Sequence, residues 1–344
     1  MDTNNRIKWV DIAKGIGIIL VIVGHTIALE YSAPIYTFHM PLFFFLSGLF
    51  LNTDVKLEAF IKKKAKSILG VWLLVFLLSY IVCICIPEWR QLISFKSLVV
   101  DLYSANTNVV QNSSLWYLIC LFFAEVIFYF VEKIKAVVNQ KVFYAIFGLF
   151  TMIVLILPNV LNMISNYIPL TGGRLPFKID TALCAVVFLS LGKWIKPYIS
   201  KLMDKMTILL TISILIVWTL LAYINGWTNM NSLNFGVHKL LFYPIAIMGI
   251  GWVCGISNYI AEKPNNIVSK ALVFYGENCL MIFLFQSLFI RLYLLVANRL
   301  LGLEMTLYMN NPMEHQIGSF VVVGFIISPI MVLLYKRVKV ALSW

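Results

Sequence analysis

Charged residues are scarce in this chain of 344 residues, where Asp, Glu, Lys and Arg together make up only 12% of the sequence. A soluble domain carries about 25% charged residues. Apolar and aromatic residues make up 61%, and the mean hydropathy is +0.90. Because a water-soluble fold cannot hide that much apolar surface, the composition excludes a soluble enzyme, a nucleic-acid-binding protein and a secreted scaffold.

Several common site motifs are also missing. The sequence has no Walker A motif and no GxGxxG, HExxH or GxSxG, which are signatures of nucleotide binding, zinc proteases and serine hydrolases. No two of its four histidines are spaced i,i+4, and none of its six cysteines forms a CxxC. The cysteines all lie in apolar stretches and are interpreted as small buried residues. We therefore expect neither a metal site nor a disulfide framework.

Long apolar runs are what the sequence has instead. A helix needs about 20 mostly apolar residues to cross the hydrocarbon core of a bilayer. On that measure the sequence predicts an all-α, polytopic integral membrane protein, with one transmembrane domain over 1–344 and no separate soluble domain. Ten spanning helices are predicted, at 9–29, 36–52, 67–87, 115–131, 142–158, 179–196, 207–224, 236–256, 270–297 and 316–335.

The net charge of +12 has a simple explanation in such a protein, because Lys and Arg concentrate in cytoplasmic loops. With the N-terminus inside, nineteen of these residues fall in inner segments and five in outer segments. This asymmetry predicts that both termini are cytoplasmic. Arg6 and Lys8 precede an apolar run, as in a signal peptide, but Asp11, Lys14 and His25 interrupt that run. A retained first helix is therefore favoured.

Three ionisable residues inside the first predicted span stand out, because such groups are costly in hydrocarbon unless they face a protein interior or a wet cavity. Lys14 and His25 are 11 residues apart, which places them within about 20° of each other on one helix face. They are roughly 16 Å apart along the helix axis. Asp11 lies one turn before Lys14 and can pair with it. The alternatives are a snorkelling Lys14 and a His25 that only packs against neighbouring helices.

Further polar residues fall inside the other predicted spans or at their ends. His39 lies in the second span beside Pro41, and the short connection predicts that His25 and His39 meet across a helical hairpin. Each polar residue alone is typical of an interface anchor, but together they indicate a polar path across the protein. In this interpretation the outer half of the membrane holds His25, His39, Arg174, Asp180, His238 and Arg291. The inner portion holds Asp11, Lys14 and Glu277, and Glu125 lies in the fourth span.

Several segments resemble a known family. The resemblance rests on segment 9–25 (WVDIAKGIGIILVIVGH) and segment 38–48 (FHMPLFFFLSG). Both resemble the acyltransferase 3 family and, within it, the fucose 4-O-acetylase-like branch. Segments 115–118, 175–180 and 276–280 resemble later blocks of that branch, so the resemblance extends over most of the chain. Lys14 stands where the wider family usually has Arg.

The resemblance implies a membrane O-acyltransferase, most often an O-acetyltransferase, in a bacterial inner membrane. Such an enzyme moves an acyl group from cytoplasmic acyl-CoA to a hydroxyl of a cell-surface polysaccharide or lipid-linked glycan. It implies that Lys14 binds CoA phosphates and that His25 is catalytic, as a general base or, alternatively, as an acyl carrier. Candidates for binding substrate or an oxyanion are His39, Arg174, Asp180, His238 and Arg291, supported by Asp11, Glu125 and Glu277.

The partners that follow are acyl-CoA, the glycan acceptor and membrane lipids, with no nucleic acid, while the oligomeric state stays open. Acetyl-CoA would be a co-substrate, and no permanently bound cofactor or metal is expected.

A transporter or flippase is the main alternative, in which the same polar residues would line a pathway for a glycan, a lipid or a small solute. The sequence shows no repeat between its halves and no broken helices in corresponding positions, which favours the enzyme. A membrane scaffold without chemistry would leave the stripe from Lys14 to His25 unexplained.

Overall fold

Helices make up the regular structure of this protein. The computed structural model describes residues 7–107, 109–165, 173–263, 266–302, 305 and 311–342, with side chains up to residue 337. Among these residues every regular element is helical, apart from an isolated bridge between Asn229 and Asn234. Ten helices in the described part are long and apolar enough to cross a membrane. The all-α class and the count of ten spans are thus confirmed.

The ten spanning helices, numbered α1 to α10, overlap the ten predicted ranges. The largest shifts are at the start of the third and ninth spans and at the end of the sixth. Shorter helices cover Pro87–Arg90, Phe95–Ser104 and Ile267–Glu277. The spans are α1 (Lys8–Thr26), α2 (Leu29–Phe50), α3 (Leu57–Cys85), α4 (Ser113–Val137), α5 (Gln140–Met163), α6 (Pro176–Lys205), α7 (Ile208–Asn225), α8 (Lys239–Glu262), α9 (Cys279–Leu301) and α10 (Met313–Arg337).

The second span begins earlier than predicted and is interrupted. Its first half, Leu29–Tyr36, is already helical, and its second half is His39–Phe50. Pro41 lies in the first turn of the second half, where its missing N–H removes no helical hydrogen bond. Its ring would clash with a helical carbonyl at Thr37, so the helix cannot run straight through from the first half.

Buried hydrogen bonds hold the interruption in α2. The Thr37 hydroxyl donates to the carbonyl oxygen of Pro34 at 2.7 Å and accepts from the indole N–H of Trp218 on α7 at 3.1 Å. The Phe38 ring packs edge-on against Trp218, with ring centroids 5.0 Å apart. The break therefore has a fixed geometry, and it places His39 at the start of the second half.

The ninth predicted span, 270–297, is wrong as a single helix. The structure has a separate helix Ile267–Glu277, and α9 begins at Cys279. Between them, the backbone N–H and the side-chain amide of Asn278 both donate to the carbonyl oxygen of Phe274, at 3.3 and 2.6 Å. An Asn side chain that bonds nearby backbone groups competes with helix continuation, which accounts for the break.

The chain divides into two compact units. The first contains Met1–His39, Ser200–Trp227 and Tyr243–Trp344, and the second contains Met40–Ile199 and Thr228–Phe242. The first unit thus includes α1, α7, α9 and α10 with the first half of α2, and the second includes α3, α4 and α5. The single transmembrane domain expected over 1–344 stays a prediction.

Within the first unit, α1 and the helix Ile267–Glu277 approach each other at backbone distance. A Cβ atom on Gly15 would overlap the carbonyl oxygen of Leu272, and a Cβ atom on Gly276 would overlap the carbonyl oxygen of Asp11. Backbone atoms cannot turn aside as the end of a flexible side chain can. Glycine is therefore required at both positions, and the contact fixes the position of α1.

We expect Gly276→Ala to lower the free energy of unfolding by about 1–3 kcal/mol, because the added methyl group would force α1 and Ile267–Glu277 apart. The measurement is thermal unfolding of the purified protein in detergent. Gly251→Ala on α8 is the matched control, since no atom lies within 4 Å of the added Cβ and alanine favours the helix. Equal unfolding temperatures for the two variants would contradict this account of the packing.

Candidate functional site

His25 lies in the last turn of α1, and its side chain is partly exposed. Two hydrogen bonds hold this end of the helix. The hydroxyl of Tyr36 on α2 donates to the carbonyl oxygen of Gly24 at 2.7 Å, and the backbone N–H of Ala28 donates to Oε1 of Gln316 on α10 at 2.8 Å. If α1 continued, the carbonyl oxygen of Gly24 would accept a hydrogen bond from the N–H of Ala28. Because α1 ends before that residue, the side chains of Tyr36 and Gln316 take the place of this helical bond.

The ring of Tyr36 packs edge-on against two histidines. Its centroid is 6.3 Å from that of His25, with the planes at 71°, and 5.0 Å from that of His39, with the planes at 90°. The ring also packs closely on α1, since a Cβ atom on Gly24 would lie 3.4 Å from it, at van der Waals contact. Trp227, which follows α7, also contacts Tyr36, with centroids 6.3 Å apart. The two histidines that the sequence predicts to meet therefore both contact the ring of Tyr36.

His39 is buried and its ring is held by the backbone. Its Nδ1 atom lies 2.8 Å from the carbonyl oxygen of Ile35. A carbonyl oxygen has no hydrogen to donate, so Nδ1 must carry the ring hydrogen. In the neutral ring, Nε2 then keeps its lone pair and accepts a proton or a hydrogen bond. This tautomer suits a proton acceptor or a binder of hydroxyl groups better than an oxyanion donor.

Arg291 on α9 adds a permanent positive charge to this region. Both Arg291 and His39 are close enough to act electrostatically on His25. Three of the six residues predicted for the outer half of the membrane thus come together within the first unit. We call His25, Tyr36, His39, Trp227 and Arg291 the histidine cluster.

Lys14 and Asp11 form an ion pair nearer the start of α1, with Nζ and Oδ1 3.8 Å apart. About a third of the Lys14 side chain is exposed.

Because α1 is one unbroken helix, Lys14 and His25 lie on the same face as the spacing predicts. Ile18 and Val21, which lie between them on that face, are fully buried. This face of α1 is therefore accessible at both ends and covered by apolar packing in the middle, while a polar path through the several spans stays a prediction.

In the second unit, Arg174 and Asp180 bind each other. Nε and Nη2 of Arg174 donate to the buried carboxylate of Asp180, the second at 3.1 Å. The same carboxylate accepts from the backbone N–H groups of Leu175 at 3.2 Å and Thr181 at 2.7 Å. The pair thus holds the turn that leads into α6.

The remaining candidates occupy varied environments. Glu125 on α4 is buried and forms an ion pair with Lys64 on α3, with Nζ and Oε2 2.9 Å apart. His238 is exposed in the segment before α8, and Glu277 is exposed at the end of Ile267–Glu277. In the described part of the chain, no group of three or more His, Cys, Asp or Glu residues could hold a metal ion.

Sequence reasoning missed four residues of these sites, namely Tyr36, Trp227, Gln316 and Lys64. Tyr36 precedes His39 by three residues, a helical spacing that could have drawn attention to it. Trp227 looks like an ordinary aromatic residue at a helix end, where Trp is common at membrane interfaces. The spacing of Gln316 does not show that it accepts a hydrogen bond from Ala28, and that of Lys64 does not show that it pairs with Glu125. Both contacts join parts of the chain that are far apart in sequence.

The chain as a whole matches a known family. The matching family model, acyltransferase 3, is described as an acyltransferase domain and covers residues 7–336. Comparisons with curated proteins and with solved structures give no match. The family match includes both segments on which the resemblance rests, but it does not distinguish the fucose 4-O-acetylase-like branch, which stays a prediction.

We expect Tyr36→Phe to lower the free energy of unfolding by about 1 kcal/mol, because it removes the donor to the Gly24 carbonyl and keeps the ring between the histidines. Thermal unfolding in detergent measures the change. Tyr31→Phe in the same half of α2 is the matched control, because Tyr31 is 57% exposed and water replaces its hydroxyl contacts. A Tyr36→Phe variant as stable as the Tyr31→Phe variant would show that the hydroxyl does not hold the end of α1.

Proposed function

Because the chain belongs to the acyltransferase 3 family, we propose that it is a membrane O-acyltransferase that uses acyl-CoA, and acetyl-CoA in particular. The acceptor in this proposal is a hydroxyl of a cell-surface polysaccharide or lipid-linked glycan, and the location is a bacterial inner membrane with both termini cytoplasmic. The observation that carries the proposal is the geometry around His25, a partly exposed imidazole at a fixed helix end whose ring contacts Tyr36, which also contacts His39.

Lys14 is the proposed contact for the donor. Its partly exposed ammonium group, paired with Asp11, can bind a CoA phosphate as a point charge. The distance of roughly 16 Å along α1 from Lys14 to His25 is about what an extended pantetheine arm must cover. The thioester would then reach the histidine cluster while the phosphates stay at the cytoplasmic end.

His25 is the proposed general base. It takes the proton of the acceptor hydroxyl while the hydroxyl oxygen attacks the thioester carbonyl. When the C–S bond breaks, the thiolate of CoA takes this proton from His25, so the imidazole ends neutral and free CoA leaves. The positive charge of Arg291 can stabilise the oxyanion that forms on the carbonyl oxygen. A covalent acyl-His25 intermediate is the alternative course for the same residue.

The apolar middle of α1 has a consequence for this chemistry. Ile18 and Val21 are fully buried between the two proposed contacts for acyl-CoA. The pantetheine arm must therefore displace these side chains or pass beside this face of α1.

Transporters share one feature with this structure, since interrupted helices often form their binding sites. Within the residues that the structure describes, such interruptions occur in α2 and between Ile267–Glu277 and α9. When the ten spans are divided into two halves of five, α2 is the second span of its half and α9 is the fourth span of the other. The interruptions therefore do not lie at corresponding positions in the two halves. Together with the family match, this favours the acyltransferase over a transporter or flippase.

We expect His25→Ala to reduce acyl transfer by at least about a hundredfold, because it removes the base that activates the acceptor. The assay follows [14C]acetyl from acetyl-CoA into the base-labile ester fraction of host membranes that lack the native protein. His315→Ala on α10 is the control, since His315 has no part in the proposed chemistry. Transfer at the wild-type rate by folded His25→Ala would remove His25 from the mechanism.

Lys14 is tested by reversing its charge. We expect Lys14→Glu to raise the KM for acetyl-CoA by about tenfold or more, because a carboxylate repels the CoA phosphates. Lys14→Arg keeps the positive charge and should stay within about twofold of wild type. The same assay with varied acetyl-CoA gives both constants, and equal effects of the two substitutions would mean that Lys14 only anchors the helix at the interface.

A further inference from the structure

Trp227 belongs to the histidine cluster but has no part in the chemistry proposed above. It directly follows α7, which ends at Asn225, and Gly226 turns the chain there with a positive φ of 70°. The indole of Trp227 is 39% exposed. One side chain of the cluster therefore offers a broad aromatic surface rather than a charge or a proton acceptor.

The contact with Tyr36 sets Trp227 apart from other exposed aromatic residues of the first unit. The two rings meet at 65°, and the same Tyr36 ring touches both His25 and His39. Tyr36 is itself fixed through its hydroxyl to the Gly24 carbonyl. The exposed indole is thus one ring away from the proposed base, through a side chain that is held in place.

The cluster combines two kinds of recognition. An aromatic ring binds C–H groups that carry partial positive charge, because its face carries partial negative charge. The neutral ring of His39, with its hydrogen on Nδ1, accepts a hydrogen bond at Nε2. A molecule that uses both features has an apolar C–H face and hydroxyl groups at its edge. A sugar ring has this combination, whereas an acyl chain lacks the hydroxyl edge.

We propose that Trp227 is the platform for the acceptor, and that the sugar ring to be acylated stacks its C–H face on the indole beside His25. Tyr36 positions this platform, and His39 accepts a hydrogen bond from a hydroxyl of the same sugar. This inference rests on the proposed acyltransferase function and deepens it, because it assigns the residue that recognises the acceptor.

The test separates binding of the acceptor from binding of the donor. The acceptor probe is a set of oligosaccharides cut from the surface polysaccharide of the host and treated with mild base to remove esters. Purified protein in lipid nanodiscs receives [14C]acetyl-CoA, and initial rates are measured while either substrate is varied. Trp227→Leu removes the aromatic face, and Trp227→Phe keeps a smaller one. Tyr223→Leu is the matched control, because Tyr223 is 54% exposed and lies one turn earlier on α7.

We expect Trp227→Leu to raise the KM for the oligosaccharides by about tenfold or more and to leave the KM for acetyl-CoA within about twofold, because stacking on an aromatic ring contributes roughly 1–3 kcal/mol. Trp227→Phe should show a smaller rise, and Tyr223→Leu none. Thermal unfolding of each variant identifies any loss that comes from misfolding, in which case Trp227→Phe carries the test.

Two results would overturn the inference. In the first, wild type acylates the oligosaccharides, but Trp227→Leu and Trp227→Phe match Tyr223→Leu in acceptor KM, so that Trp227 is only an anchor at the membrane interface. In the second, wild type transfers acetyl to lipid and not to the oligosaccharides. The proposed function fails separately, if wild type moves no acetyl group from acetyl-CoA to any fraction of host membranes.

Discussion

The structure of the first unit depends on the contact between α1 and the helix Ile267–Glu277. At Gly15 and Gly276 the two backbones meet with no room for a Cβ atom. This contact fixes α1 along the part that carries Asp11 and Lys14, while Tyr36 and Gln316 fix the end that carries His25. A helix that is held at both ends keeps its ionisable side chains at fixed positions. The proposed site requires this, because Lys14 and His25 are 11 residues apart on the same helix.

The arrangement of polar groups follows from the cost of charge in a membrane. Asp180 is paired with Arg174, Glu125 with Lys64, and Asp11 with Lys14. In the described part of the first unit, the histidine cluster brings the partly exposed His25 together with basic side chains of two other spans, His39 on α2 and Arg291 on α9. That combination is the physical ground on which we propose His25 as the general base, and the buried Ile18 and Val21 separate it from the Lys14 end of α1.

The sequence predicted the spans well, because the thickness of a bilayer dictates the length of an apolar run. It also predicted that His25 and His39 meet across a hairpin, and in the structure both rings contact Tyr36. The break at Asn278 was missed, because it depends on local hydrogen bonds rather than on hydropathy. The break at Thr37 follows from the ring of Pro41, which the sequence does show. The pairing of Glu125 with Lys64 and the contact of Trp227 with Tyr36 come from tertiary packing, for which neither periodicity nor composition gives a signal.

The proposed reaction of this acyltransferase is esterification of a hydroxyl of a surface glycan with an acetyl group from acetyl-CoA. The most direct test is NMR of the surface polysaccharide and glycolipids from a deletion strain of the host, with and without the wild-type gene, after growth on 13C-labelled acetate. The account predicts labelled O-acetyl signals, with shifted protons at the esterified sugar position, only when the wild-type gene is present. Identical O-acyl signals in the two strains would contradict it.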